Sequence, residues 1–168
     1  MHKLLLLYSW SVWLITFFIP DMAITMRFRG WLYFLPFRYA GKNIQIANSA
    51  RLIGLENIKM GSDTYIASGV VINARGMVQI DDEVMLGHET IVVASNHTKK
   101  DGSFRFGISA PGDIYIGHGT WIGGNCTVTA NSTIGKGVLV GANSLVRDVL
   151  EDNCFYAGVP VKLIRNNI

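Results

Sequence analysis

An aliphatic residue returns at every sixth position from Met60 onward, and this period constrains the fold more than any other feature. A helix would place apolar residues every 3.6 positions and a half-buried strand every second one. A sustained period of six is typical of a parallel β-helix, in which short repeats stack on their neighbours. The twelve hexads read MGSDTY, IASGVV, INARGM, IDDEVM, LGHETI, VVASNH, IGHGTW, IGGNCT, VTANST, IGKGVL, VGANSL and VRDVLE.

Each hexad is expected to form one flat side of a three-sided coil. Its first residue points into the core, and the small residue that often follows is expected to let the backbone turn the corner. Three hexads close a coil, so the twelve predict about four coils, above the three or so that a solenoid needs for stability. Upstream, the aliphatic residues of the stretch 44–58 suggest a less regular starting coil. An ordinary β-sandwich would not hold a fixed period over this length.

The N-terminal segment is the second unusual feature. Residues 4–19 form an apolar run, Pro20 and Asp21 interrupt it, and residues 22–26 continue it. A spanning helix needs about 20 apolar residues, so the run is borderline. A signal peptide is one alternative, because Lys3 precedes the run. A helix packed on the protein or at a subunit interface is another.

Arginine and aromatic residues alternate through positions 27–39, a mixture that suits the headgroup zone of a membrane. We therefore expect membrane association through residues 4–39. Whether residues 4–26 span the bilayer, lie on it or pack on the protein stays open. The chain divides into a hydrophobic, basic, membrane-proximal segment, 1–40, and a repeat domain with a C-terminal tail, 41–168.

The charge distribution argues against nucleic acid as a partner, although the sequence pI is about 9.0. Residues 1–45 carry five cations against one acid, a net charge of +4. The other 123 residues carry 10 basic and 11 acidic side chains, a net charge of −1. No long basic face therefore remains for a duplex. The two cysteines form no CxxC motif, and Cys126 is expected to be a small core residue.

The repeat skips two residues, Val78 and Gln79, and has one long break, which begins after His97 and ends at Ile116. A loop near residues 98–112 in an otherwise regular solenoid is uncommon unless it is functional or disordered. His97 lies where this loop begins. Because imidazole titrates near neutrality, it could take a proton from a hydroxyl as a new bond forms. His88 and His118 occupy third hexad positions, which are expected to face outward.

Three stretches carry a family resemblance: IGHGTWIGG at 116–124, IGKGVLVGANS at 134–144 and AGVPVKLIR at 157–165. They resemble the hexapeptide-repeat acyltransferases over residues 41–168, and the layout is similar to the sugar O-acetyltransferases. The N-terminal extension resembles that of acetyltransferases from bacterial surface-polysaccharide clusters. The resemblance implies an all-β fold, a left-handed parallel β-helix, with a protruding loop and an N-terminal hydrophobic helical segment.

The resemblance also implies a reaction. Acetyl-CoA would be the donor, and the acceptor would be a sugar hydroxyl of a surface-polysaccharide or lipid-linked glycan precursor. The protein would be a homotrimer with active sites between subunits, at the cytoplasmic face of the bacterial inner membrane. No metal is expected.

The resemblance also implies roles for individual residues, through the positions that match the family's motifs. His97 matches the catalytic general base, and the backbone N–H of Gly124 matches an oxyanion donor. Trp121 matches an aromatic residue near the acetyl group, with a stiff residue at the trimer seam as the alternative. The remaining positions matched to coenzyme A binding are Ala142, Arg147, Lys162 and Arg165.

The acceptor side departs from the family pattern. Galactoside-type enzymes carry an Asn and an Asp that contact the sugar, and those positions fall on Ala67 and Arg75 here. A simple galactoside is therefore not the expected acceptor. We expect acceptor contacts instead from Asn73, Arg75, Lys99 and Arg105.

Other functions stay open at this stage. N-acetylation of an amino sugar would use the same base. A γ-type carbonic anhydrase would need three histidines around zinc, and His88, His97 and His118 do not have the spacing of that family. A catalytically inactive scaffold is the remaining alternative.

Overall fold

The computed structural model describes residues 2–168, with side chains from residue 3 onward. Over this range the chain forms two helices and a solenoid of five complete coils with a partial sixth. Coils 1 to 3 contain β1 (Tyr39–Ala40), β2 (Gln45–Ile46), β3 (Arg51–Ile53), a 3-10 turn (Leu55–Asn57), β4 (Ile58–Met60), β5 (Tyr65–Ile66), β6 (Val71–Asn73), β7 (Val78–Ile80), β8 (Met85–Leu86) and β9 (Ile91–Val93).

A hairpin leaves the solenoid after coil 3. The hairpin and the later coils contain β10 (Ser95–His97), β11 (Ser109–Pro111), β12 (Ile114–Ile116), β13 (Trp121–Ile122), β14 (Thr127–Thr129), β15 (Thr133–Ile134), β16 (Leu139–Val140), β17 (Leu145–Val146), β18 (Val149–Leu150), β19 (Cys154–Ala157) and β20 (Lys162–Asn166). The last hexad is cut short, because coil 6 already begins at Val149.

Three parallel sheets make the three sides. Sheet A stacks β1, β4, β7, β12, β15 and β18, and sheet C stacks β3, β6, β9, β14 and β17. Sheet B stacks β2, β5, β8, β13, β16 and β19, and β20 folds back antiparallel on β19. The predicted parallel β-helix is confirmed.

The core lies inside the coils, as the period predicts. Every one of the twelve first-position residues is at most 1% exposed. The fifth position also points inward, and Cys126 there is fully buried. Stacking therefore buries a continuous aliphatic column, worth roughly 1.5–3 kcal/mol for each large side chain.

The corners turn differently from the prediction. The left-handed backbone needed there lies at the fourth hexad position, for example at Asn125 with φ 55° and Asn143 with φ 57°. The small residue at the second position serves close stacking instead. A Cβ on Gly123 would lie 2.7 Å from the backbone nitrogen of Ala142 in the next coil.

Two helices, α1 (His2–Thr16) and α2 (Ala23–Leu32), cover the N-terminal end of the solenoid. The outward carbonyls of coil 1 find donors there. The Ser9 hydroxyl donates to the Leu52 carbonyl at 2.6 Å, and Arg29 donates to the Ile46 carbonyl at 3.2 Å. Val12, Tyr33 and Phe37 join the solenoid core. We call α1, α2 and the turn that follows, residues 3–38, the cap; covering an open strand edge in this way prevents edge-to-edge pairing.

The sequence pattern predicted that Arg29 would lie in the headgroup zone of a membrane. Its side chain is instead buried within the protein. It is 2% exposed and forms an ion pair with Asp21 at 2.6 Å. The same carboxylate accepts a hydrogen bond from the Asn48 N–H at 2.8 Å and thereby ties the cap to coil 1. Within residues 2–168 no helix is long and apolar enough to cross a bilayer.

Candidate active site

Two corners of the solenoid carry the predicted site residues. The hairpin corner lies between sheets C and A, where β10 and β11 leave the coil. The groove corner lies between sheets B and C, where Gly124 and Ala142 stack in successive coils.

His97 lies at the end of β10, paired with Ser109 of β11. Only the first part of its hexad stays in the coil, because the chain leaves the solenoid at Ser95. The His97 side chain is exposed, and its imidazole makes no hydrogen bond or ion pair with any residue that the structure describes. The ring is therefore accessible to a substrate.

The loop beyond His97 presents cations stacked on aromatic rings. The Lys99 ammonium lies 5.9 Å from the Phe104 ring centre, and the Arg105 guanidinium lies 5.7 Å from that of Phe106. Phe104, Phe106 and Ile108 are all exposed. The sequence analysis did not name these three as candidate site residues, although apolar side chains in an otherwise polar loop were a visible signal.

Asn73 and Arg75 lie on the same side of the molecule, near the hairpin corner of coil 2. Asn73 is in register with Val93, just before the hairpin, and Arg75 is exposed. The Asn73 side-chain oxygen is buried without a hydrogen-bond partner among the described residues. The structure thus brings all four predicted acceptor residues to the side of the solenoid that carries His97.

The groove corner is lined by small residues. The Asn125 N–H donates to the His88 carbonyl at 2.7 Å, and the Asn143 N–H donates to the Gly124 carbonyl at 2.9 Å. The Gly124 N–H has no acceptor within residues 2–168. An outward N–H of this kind is a donor available to an oxyanion.

Trp121 lies beside this corner on the outer face of sheet B, where it is half exposed. It pairs in register with Met85 below and Leu139 above. A recess of about 210 Å³ opens between Trp121, Gly124 and the neighbouring coil. The recess is mostly apolar and continuous with the Gly124 backbone.

The C-terminal cations lie at the far end of sheet B. Lys162 is in register with Ala157, and Arg165 with Phe155, and both cations are exposed. Arg147 does not join them, because it follows β17 at the hairpin corner and lies 3.6 Å from the Asp148 carboxylate. Within one chain Arg147 therefore lies apart from Lys162 and Arg165.

His97 and Gly124 are also separated within one chain. Residues 124–129 cross one side of coil 4, and about five steps of roughly 3.3 Å put about 16 Å between the two corners. A proton acceptor and an oxyanion donor for one reaction must lie much closer, within a few ångströms of the reacting atoms. The predicted base and the predicted oxyanion donor therefore lie apart within one chain, and we call the predicted site residues at the two corners the two half-sites.

Residues 113–148 match the family model described as "Bacterial transferase hexapeptide (six repeats)". The chain is a hexapeptide-repeat protein. It is 30% identical over 123 residues to the putative lipopolysaccharide biosynthesis O-acetyl transferase WbbJ of Escherichia coli K12. The aligned residues make up 73% of this chain and 57% of that relative. The chain spans about half the length of the curated relatives it matches.

Two solved structures resemble this hexapeptide-repeat protein over nearly its whole length. A hexapeptide-repeat acetyltransferase of Vibrio cholerae, complexed with acetyl coenzyme A, has a TM-score of 0.85 at 22% identity and covers 99% of this chain and 88% of its own. A maltose O-acetyltransferase of Clostridium difficile has a TM-score of 0.86 at 23% identity, with 97% and 86% covered. The likeness confirms the left-handed β-helix fold.

Tyr115 on sheet A and Cys126 inside the core have raised pKa values, whereas His88 lines the recess beside Trp121 and Gly124. A 2.5 Å hydrogen bond to Asp81 raises the pKa of Tyr115 to about 12. Burial raises the pKa of the Cys126 thiol, so it is a poor nucleophile. His88 and His118 are exposed, as expected from their hexad positions. In the described part of the chain no three His, Cys, Asp or Glu side chains are placed to hold a metal.

Proposed function

We propose that this hexapeptide-repeat protein transfers an acetyl group from acetyl-CoA to a sugar hydroxyl of a surface-polysaccharide or lipid-linked glycan precursor. The observation that carries the proposal is the groove corner, where an unpartnered Gly124 N–H lies among small side chains and beside an apolar recess. The names of the relatives, an O-acetyl transferase and acetyltransferases, support the reaction type.

The groove corner fits the shape and charge of coenzyme A. Gly124 and Ala142, stacked in successive coils, carry little or no side chain on the outside, so a narrow pantetheine arm would pass along them. Trp121 and its recess would hold the acetyl end. Lys162 and Arg165, near the C-terminal end of the same sheet, would contact the phosphates, since exposed cations are suited to phosphate oxygens.

The two half-sites would meet between copies in a homotrimer. His97 on the hairpin of one subunit would reach the Gly124 groove of its neighbour, because the two lie on different corners of one chain. Arg147 would reach a neighbouring groove in the same way. The exposed Phe104 and Phe106 would be covered by the adjoining subunit. Static light scattering should then give a particle of about three times the 18.5 kDa chain mass.

In the proposed reaction the acceptor hydroxyl attacks the thioester carbonyl directly. His97 takes the hydroxyl proton as the C–O bond forms, and the Gly124 N–H donates to the tetrahedral oxyanion. Collapse of the intermediate breaks the C–S bond, and the coenzyme A thiolate receives the proton from His97. Holding both reactants together supplies much of the barrier reduction.

The acceptor would be held near Asn73, Arg75, Lys99 and Arg105, on the hairpin side. We place the protein at the cytoplasmic face of a bacterial inner membrane, associated through residues 4–39. There it would meet a lipid-linked precursor.

Donor binding is tested by calorimetric titration of acetyl-CoA into the purified full-length chain. We expect micromolar to millimolar affinity, and the Lys162→Ala/Arg165→Ala double variant should bind at least tenfold more weakly. Lys59→Ala/Lys136→Ala removes two cations elsewhere and should bind as the parent does. No binding by the folded parent would refute the proposal.

Catalysis is tested by release of free coenzyme A thiol with a panel of soluble sugars, amino sugars and glycan fragments. His97→Ala should bind acetyl-CoA normally and lose about 10²–10⁴-fold in turnover. His118→Ala is the matched control, because that ring lies on another corner, 3.9 Å from the Glu83 carboxylate. Equal turnover by His97→Ala would remove the base from the mechanism, and an amino-sugar preference would shift the reaction to N-acetylation.

A further inference from the structure

The outer face of the cap is apolar, which is unusual for the end of a solenoid. Terminal capping elements normally carry a polar outer face, because that face keeps the protein soluble. Here both helices turn large apolar side chains outward. Eight large apolar side chains of the cap are each more than half exposed: Leu4, Leu7, Ile15, Phe18, Met22, Ile24, Trp31 and Leu35.

These outward residues are not needed to hold the cap on the solenoid. The inner side of α1 is formed by Ser9, Val12 and Thr16, which are buried, and α2 buries Met26 and Arg29. The carbonyls of coil 1 are met by Ser9 and Arg29 from this inner side. The outward face is therefore a separate surface from the side of the helices that packs on coil 1.

Cations border this apolar face. Arg27, Arg38 and Lys42 are all exposed. Arg27 and Lys42 line a groove of about 550 Å³ between α2 and coil 1, together with the aromatic rings of Trp31 and Phe34. The cap's acid, Asp21, is occupied by Arg29 and by the Asn48 N–H, so it does not offset these charges.

We infer that the cap docks on the surface of an anionic lipid bilayer, with its apolar residues inserted and Arg27 and Lys42 contacting lipid phosphates. Apolar side chains rimmed by cations and Trp rings match the interfacial zone, where an inserted face lies about 5–10 Å deep. A second copy of the chain is a poorer occupant of this face. It would have to supply acidic side chains opposite these cations, but the same face of the second copy also carries cations. This inference deepens the location proposed above and is independent of the acetyl transfer.

Docking in this way would orient the site. The cap closes the end of the solenoid, so the solenoid axis would stand upright on the bilayer. The hairpin with His97 leaves after coil 3, and three spacings of about 4.8 Å plus a helix layer of about 10 Å put the site roughly 25 Å above the lipid. In a trimer with parallel axes, all three caps would meet one membrane plane, which strengthens binding through multivalency.

Flotation of the full-length chain with phosphatidylglycerol-containing vesicles tests the inference, alongside pure phosphatidylcholine vesicles. Tryptophan emission adds a second readout, because Trp10, Trp13 and Trp31 lie in the cap and Trp121→Phe removes the remaining signal. We expect binding to the anionic vesicles with a blue shift, and weaker binding at high salt. Binding equal in both vesicle types would refute the role of the cations.

Variants separate the two contributions. Arg27→Gln/Lys42→Gln should weaken binding about fivefold for each cation removed. Ile24→Asp/Leu35→Asp should abolish the blue shift, and Val149→Asp, an exposed apolar site at the other end of the solenoid, should bind as the parent does. Circular dichroism and thermal unfolding verify that each variant is folded. The inference would be overturned if the folded parent chain bound no vesicles. It would also be overturned if the cap variants changed the oligomeric mass without changing vesicle binding.

Discussion

Gly123→Ala tests how tightly the groove corner is built. Its Cβ would lie 2.7 Å from the Ala142 nitrogen and 2.8 Å from the Val140 carbonyl oxygen, both backbone atoms of coil 5. Ordinary contact begins at 3.4 Å, so coils 4 and 5 must separate by roughly 0.7 Å there, which over-packing measurements put at about 2–3 kcal/mol. For a chain of this size that lowers the melting temperature by roughly 5–10 °C.

The same displacement should weaken acetyl-CoA binding about tenfold, because Ala142 and Gly124 both line the proposed groove. Thermal unfolding and calorimetric titration measure the two effects. Gly119→Ala is the matched control: nothing lies within 4 Å of its Cβ, and its φ of 67° leaves only a left-handed strain of about 1–2 kcal/mol. If Gly123→Ala were as stable as Gly119→Ala and bound acetyl-CoA normally, the close-stacking argument would fail.

Three further predictions concern groups outside the groove. Arg29→Met should cost about 3 kcal/mol in urea unfolding, because it removes the cation that pairs with Asp21 and leaves the Ile46 carbonyl without its guanidinium donor. Tyr115→Phe should cost about 1 kcal/mol, since its bond to Asp81 is partly solvent-exposed. The pKa of the Tyr115 phenol is raised to about 12, so the stability that its hydrogen bond adds is complete below pH 10 and declines as the pH rises toward 12. In an ultraviolet titration the parent should show phenolate formation near pH 12, and Tyr115→Phe should lack this step. In a Cys154→Ser background, Cys126 should react with a thiol reagent only after unfolding.

The repeat predicted the core almost completely, and it could not predict the corners. Twelve first positions are buried because a hexad has one inward aliphatic residue per side. The left-handed corner residue is Gly at some fourth positions and Asp, Glu or Asn at others, so no single residue type marks it. The left-handed sense of the coil could be predicted only from the family resemblance, because a period of six fixes the spacing of the repeats and not their direction of rotation.

The two half-sites were visible to different degrees. His97 could be found because the repeat breaks beside it, which is a signal in the sequence itself. Gly124, Ala142 and Lys162 came from resemblance alone, since a free N–H or a narrow groove leaves no mark on residue pattern. The burial of Arg29 was missed, because its partner Asp21 reaches it only through the packing of the cap on coil 1.

The cap and the half-sites are physically separable, and this makes the two proposals independently testable. The cap's outer residues lie on the side of the helices that faces away from coil 1, whereas His97 and Gly124 lie about two to three coil spacings beyond coil 1. Ile24→Asp/Leu35→Asp should therefore leave turnover of a soluble acceptor unchanged while reducing acetylation of a lipid-linked acceptor in vesicles. His97→Ala should do the reverse, binding vesicles normally while losing turnover with both acceptors. A cap variant that lost turnover of the soluble acceptor would show that the cap shapes the site itself, and the upright arrangement on the bilayer would then lose its basis.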